Sequence, residues 1–180
     1  MSLRNFTQVG EFDIAPPLED LAALPAWNWL NVRRMFAGSE HGQVDDIVLR
    51  FAPLHGPKSV RDVFDGLECV SYFPWFAMPG IRQLVEDFEP NESKGIGRVV
   101  VALLRPGGVI KSHRDEGAYA LAHRRFHFSL TSAPECIFVC GDESVTMLPG
   151  QAWEFNHHEV HSVVNASEEP RIHVIADYLH

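Results

Sequence analysis

From Gly97 onward the chain is written in short runs with a period of two, broken by turn residues, and this pattern leaves room for little besides packed antiparallel strands. Arg98 to Leu104 is a nearly continuous apolar run closed by Pro106-Gly107-Gly108. Val109 to His113 follows, then a loop through Gly117, and Arg124 to Thr131 alternates. Cys136 to Cys140 and Ser144 to Leu148 flank a turn at Gly141-Asp142, and Pro149-Gly150 makes another. Gln151 to Phe155, Val160 to Val164 and Arg171 to Asp177 complete the series. Short strands at this spacing indicate an all-β sandwich or barrel.

The first half has a different texture. Pro16-Pro17 opens a short helix with Leu18, Leu21 and Leu24 on one face. Ser59 reads as an N-cap with Asp62 three residues on, and Val60, Val63, Phe64 and Leu67 follow at helical spacing. Ile81, Leu84, Val85 and Phe88 mark a further helix, ended by Pro90. Trp27, Trp29, Leu30 and Val32 suggest a strand, as does Ile47 to Phe51. Helices ahead of a β-rich half predict a mainly β, helix-supported jelly roll in one domain. Residues 1–95 would be helical, aromatic-rich support and residues 96–180 the core.

Composition narrows the partners. A formal charge of −9 with scattered basic residues argues against a nucleic-acid backbone. The longest strong apolar run, Val99 to Leu104, is far too short to span a membrane, and the N-terminus lacks the apolar core of a signal peptide. Three cysteines, Cys69, Cys136 and Cys140, without CxxC spacing speak against a disulfide framework or a zinc site. A reducing cytoplasm is the expected compartment.

The chemistry concentrates in the β half. His113 and Asp115, two apart at a strand end, project to one side. With His161 returning from a distant strand they form the two-His, one-carboxylate set that holds Fe(II) and leaves coordination positions open. Arg125, His127 and Ser129 share one face of their strand, opposite Phe126, Phe128 and Leu130, and read as the lining of a polar cavity. Arg171, His173 and Asp177 do the same against Ile172, Val174 and Ala176. A buried arginine requires an anion, and the guanidinium fork suits a carboxylate. His157, His158 and His123 read as exposed loop histidines, His41 shows no pattern, and Arg50 is a minor candidate to reach the cavity. Trp27, Trp29, Tyr72, Phe73 and Trp75 could wall the substrate site or simply pack the helices.

Pro106-Gly-Gly, His113-Arg-Asp115, Arg125-Phe-His127-Phe-Ser-Leu130, Pro149-Gly-Gln-Ala-Trp153-Glu-Phe155, His161-Ser-Val and Arg171 together resemble the aspartyl/asparaginyl β-hydroxylase family. The resemblance is strong from about residue 97 to 178 and loose before it. It implies a double-stranded β-helix (cupin-like) fold and an Fe(II)- and 2-oxoglutarate-dependent dioxygenase that hydroxylates with O2 and releases succinate and CO2. His113, Asp115 and His161 would bind iron, Arg171 would hold the distal carboxylate of 2-oxoglutarate, and Arg125 and His127 would line the co-substrate pocket. Two departures stand out. Animal members lack the triad carboxylate that Asp115 supplies here, and Ala102 stands where they carry a serine that helps hold 2-oxoglutarate. The carboxylate also argues against halogenation. The implied substrate is a free amino acid or an aspartyl or asparaginyl side chain of a peptide or protein. Two other readings compete: a metal cupin, dioxygenase or isomerase, that does not use 2-oxoglutarate, and a non-catalytic ligand-binding module on the same fold. Two cavity cations speak against the first, and an intact triad against the second.

Overall fold

The computed structural model describes residues 4–25, 28–29, 39–53, 56 and 59–180. In chain order the elements are β1 (Phe6–Glu11), α1 (Ala15–Ala23), β2 (Val44–Phe51), α2 (Val60–Asp65), β3 (Val70–Ser71), α3 (Phe73–Ala77), α4 (Pro79–Asp87), β4 (Gly95–Leu104), β5 (Val109–His113), α5 (Ala118–Ala122), β6 (His123–Thr131), β7 (Cys136–Cys140), β8 (Glu143–Val145), β9 (Gln151–Phe155), β10 (His161–Asn165) and β11 (Arg171–Leu179). The strands form two antiparallel sheets, one ordered β1-β9-β6-β11-β4-β2-β3 and the other β5-β10-β7-β8. The two sheets remain separate, so the predicted jelly roll is an open two-sheet form and not a closed barrel.

Alternation on the central strands sorts two cores. Phe126, Phe128, Leu130, Val174, Ala176 and Tyr178 face away from the small sheet and meet Trp75, Met78, Ile81, Leu84 and Val85 from the helices. On the other face Ala102, Leu104, Trp153 and Phe155 meet Ile110, Phe138 and Val163 of the small sheet. β4 is apolar on both sides because it is covered on both sides. Phe128, fully buried, takes edge-on contacts from Phe12 and Phe88 at 5.9 and 5.2 Å between centroids. Such pairs add about 0.5–1.5 kcal/mol each beyond area burial.

The expected helices at residues 15–23, 60–65 and 79–87 form, and Ser59 Oγ accepts the Asp62 N–H at 3.2 Å as the cap predicted. β1, β3, α3 and α5 were not anticipated. Of the suggested strand at 27–32, positions 27 and 30–32 lie outside the described residues. Of the two readings of the aromatic segment, wall or packing, Trp29 and Trp75 follow packing. Trp75 belongs to the helix-side core, Trp29 packs against it, and Tyr72 donates its hydroxyl to Ala52 O at 2.7 Å. The seven-stranded sheet lies between that core and the inter-sheet face. Trp27 lies outside the described residues. Arg50 is likewise tied up elsewhere, donating to Gly97 O, Ile96 O and Ser71 Oγ, with its guanidinium over Trp75. All three cysteines are free thiols. Among the described residues no helix is long and apolar enough to cross a membrane.

α1 and α4 cross closely enough that a Cβ at Gly80 would meet the Pro16 carbonyl carbon at 2.6 Å. At the same crossing Asp20 Oδ2 accepts the Ile81 N–H at 2.7 Å, satisfying a first-turn donor of α4 that its own N-cap leaves open. Asp20→Ala is therefore expected to cost about 1–3 kcal/mol, read as a lowered urea midpoint with an unchanged slope. An unmoved midpoint would mean that water replaces the carboxylate without loss.

Candidate metal centre and anion pocket

β5 and β10 pair so that His113 and His161 lie directly opposite each other, with ring centroids 4.3 Å apart. Asp115 lies just beyond the end of β5, where its N–H donates to His157 O at 3.1 Å. The result is one compact donor set: ligand atoms of His113, Asp115 and His161 all fall within 4.8 Å of one another. His113 Nε2 is 3.9 Å from Asp115 Oδ1, and His161 Nε2 is 3.9 Å from Oδ2. Each imidazole is fixed from behind. His113 Nδ1 donates to Lys111 O at 2.7 Å and His161 Nδ1 to Glu159 O at 2.9 Å. Because a carbonyl only accepts, both Nε2 atoms carry lone pairs aimed at the shared space, as a metal ligand requires.

The protonation states fit as well. Burial alone would raise the Asp115 carboxyl, but Arg125, His161 and His113 outweigh it and hold the group well below the usual carboxylate range. Burial pushes His161 down to about 4, so its imidazole is neutral at physiological pH. An anionic carboxylate, a neutral His161 and a second oriented imidazole suit a divalent transition metal.

A narrow cavity of about 40 Å³ runs inward from this set, lined by Phe138, Phe155, Ile175 and Leu104, with His41, Arg125, His127 and Arg171 as its polar members beyond the donor set. Arg171 is buried, and among the described residues no carboxylate lies within ion-pair distance of it. Its Nη2 instead donates to His173 Nδ1 at 3.0 Å. Burial lowers the guanidinium to about 10, which leaves it charged at neutral pH. His173 and His127, whose Nδ1 atoms are 3.4 Å apart, are kept neutral by burial first and by the Arg171 charge next. Arg125 is in a different condition. Its Nε and Nη2 donate to Asp177 at 2.7 and 2.9 Å and its Nη1 to Asp115, so two carboxylates already surround it.

All six residues singled out in the sequence, His113, Asp115, His161, Arg125, His127 and Arg171, thus come together. Three others escaped it. His41 sets its ring edge-on to His113 at 4.7 Å and lines the cavity from the loop before β2. His157 is buried rather than exposed, donating from Nε2 to Ala120 O at 3.1 Å while its carbonyl anchors Asp115. His123 is buried too, stacked on Tyr119 with centroids 3.9 Å apart. His173 and Asp177 shared a visible even spacing with Arg171; His41 carried no local signal.

The fold is an antiparallel, cupin-like jelly roll, and a His/Asp/His set able to hold a metal ion lies at the end of one of its sheets. The family model for aspartyl/asparaginyl β-hydroxylases matches residues 76–180, more than half of the chain, and the chain belongs to that family. An oxidoreductase of the 2OG-Fe(II) oxygenase family from Burkholderia pseudomallei superimposes over 96% of this chain and 93% of its own, with 12% identity and a TM-score of 0.60. That likeness extends the shared fold through the N-terminal half. A cupin domain from Bordetella pertussis matches 50% of this chain and 88% of its own at 17% identity and a TM-score of 0.39. A predicted oxalate decarboxylase from Thermotoga maritima matches 47% and 68% at 18% identity and a TM-score of 0.39. No curated protein matches the chain in sequence.

Proposed function

We propose that this protein is an Fe(II)- and 2-oxoglutarate-dependent hydroxylase acting on a free amino acid or on an aspartyl- or asparaginyl-type side chain. The observation that carries the reading is Arg171, a buried cation with no carboxylate partner among the described residues, in the same cavity as the His113, Asp115 and His161 donor set. A buried charge needs an anion, and a co-substrate that reaches from metal to guanidinium supplies one at each end. When bound, Fe(II), 2-oxoglutarate and O2 supply the oxidation, in which the co-substrate gives up CO2 to become succinate while a substrate C–H becomes C–OH.

The chain's own residues do the positioning. His113, Asp115 and His161 would hold the metal on one side and leave the other open. Arg171 would take the distal carboxylate by its planar fork. His127 would bound the pocket as a neutral imidazole, and Phe138, Phe155 and Ile175 would exclude water from the buried part of the co-substrate. Formal charge supports a dianion. Asp115 and Asp177 both pair with Arg125, which leaves Arg171 unneutralised, and summed over the site the two guanidiniums and a divalent metal exceed the two carboxylates by two positive charges for one dianion to neutralise.

Anaerobic addition of Fe(II) and then 2-oxoglutarate is expected to give the weak visible charge-transfer band of chelated co-substrate. Arg171→Met should retain the metal but weaken co-substrate binding on the order of 100-fold, the usual consequence of deleting one partner of a buried charge pair. His161→Ala should lose both. Metal binding without a band would leave a metal cupin that does not use 2-oxoglutarate. Absence of metal binding would make the constellation structural.

A further inference from the structure

Asp115 lies beyond the last residue of β5, yet its side chain is tied into the centre of the large sheet. Asp177 on β11 is almost fully buried and stands directly opposite Arg125 of β6 in the strand register. Both Asp177 oxygens accept from Arg125, Oδ1 from Nε at 2.7 Å and Oδ2 from Nη2 at 2.9 Å. The third corner of the guanidinium, Nη1, donates to Asp115 Oδ2. A guanidinium is planar and its donors are fixed relative to one another. Two bonds to Asp177 therefore set the direction of the third, and the group acts as a strut from sheet to metal ligand. Among the described residues Asp115 Oδ1 accepts no comparable bond; it faces His113 Nε2 at 3.9 Å, as Oδ2 faces His161 Nε2 at 3.9 Å.

We propose that the Asp177–Arg125 pair is a positioning device that dedicates Asp115 Oδ2 to hydrogen bonding and leaves Oδ1 alone for the metal. This matters because a carboxylate can ligate through one oxygen or both. With one oxygen and two imidazoles, a six-coordinate metal keeps three open positions. A second Asp115 oxygen would occupy one of them and close the place that O2 needs once a co-substrate has chelated. Arg125 thereby moves from the co-substrate lining to the support of the metal ligand, acting through Asp115 as a positioning residue. The inference rests on the metal-centre part of the reading above and not on 2-oxoglutarate.

The test counts waters on bound Mn(II), by the broadening of its electron paramagnetic resonance lines in ¹⁷O-enriched water, with no co-substrate present. The wild-type protein is expected to carry three exchangeable waters. Arg125→Leu combined with Asp177→Leu removes both charges of the buried pair at once, an exchange that is often neutral for stability, and should carry two. Arg125→Lys keeps one donor near Asp115 and should restore the third. If the double variant does not fold, Asp177→Asn is read in its place, with an average below three expected. Three waters in the unsupported variants, or two in the wild type, overturn the device while leaving the metal centre intact. A wild-type protein that takes up no Mn(II) overturns both. A failure of 2-oxoglutarate to bind leaves the water count unchanged, so the two readings fail separately.

Discussion

Lowering the pH from 7 to 5.5 is expected to remove roughly 4–5 kcal/mol of folding stability from the metal-free protein. The main cause is four buried imidazoles, His127, His157, His161 and His173, and the buried His123, also lowered, adds in the same direction. Burial is the largest influence on each and pushes all four below the ordinary histidine value, with Arg171 and Arg125 reinforcing it around the cavity. His157 and His161 come down to about 4. The unfolded chain takes up protons near pH 6.5, so below that value it binds more protons than the fold does, and stability falls as pH falls. The contribution is complete above about 6.5 and erodes through the window below it, until the folded imidazoles also protonate, near pH 4 for His157 and His161. At pH 5.5 each group accounts for on the order of 1 kcal/mol. Asp20, whose carboxyl is raised by burial, works the other way, but it is one group against five. Against a total of about 5–15 kcal/mol for an ordinary domain, the loss should bring the acid transition close to pH 5. Urea midpoints at pH 7, 6.2 and 5.5 in the presence of a chelator measure it. A midpoint that holds steady down to pH 5 would mean that these imidazoles already protonate in the folded state.

The same buried histidines mark how far the sequence could be read. Alternation at 125–130 and 171–177 assigned every side chain to the correct face, because period two is a local property and each of these strands is buried on both sides. The His113, Asp115 and His161 set was legible because a strand end and a returning strand are both visible in the pattern. What was not legible depends on register and on loop packing. Arg125 and Asp177 were each placed on a cavity face, but only the β6–β11 register puts them opposite one another. His157 sits in a polar, turn-like stretch that resembles exposed loop, and its burial comes from α5, an element without a periodic signature. His41 reaches His113 from far along the chain through a short turn. The aromatic segment stayed open between substrate wall and helix packing for a related reason: Trp75 has the composition of a binding site but belongs to the helix-side core of the large sheet.

Replacing His173 by Asp is expected to abolish 2-oxoglutarate binding, whereas replacing it by Asn is not. Arg171 Nη2 donates to His173 Nδ1 at 3.0 Å, and both residues are buried. A neutral acceptor holds the guanidinium in place without cancelling its charge, which keeps that charge available to an anion arriving from the metal side. An Asn carboxamide oxygen can take the position of the imidazole Nδ1 and accept the same bond. An Asp oxygen in that position pairs with Arg171 and stands against the incoming carboxylate. Like-charge juxtaposition in a desolvated site costs several kcal/mol. At about 1.4 kcal/mol per decade, the Asp variant should bind at least on the order of 100-fold more weakly, with the Asn variant within about 10-fold of wild type. Metal affinity should be the same in all three proteins, because His113, Asp115 and His161 come from β5, β10 and the loop after β5. Titrating 2-oxoglutarate into the anaerobic Fe(II) protein and following the charge-transfer band separates the outcomes. Equal losses in both variants would show that the shape of the imidazole matters and its neutrality does not. Equal retention would remove Arg171 from the role of anion holder, since a carboxylate beside it would then leave the anion indifferent.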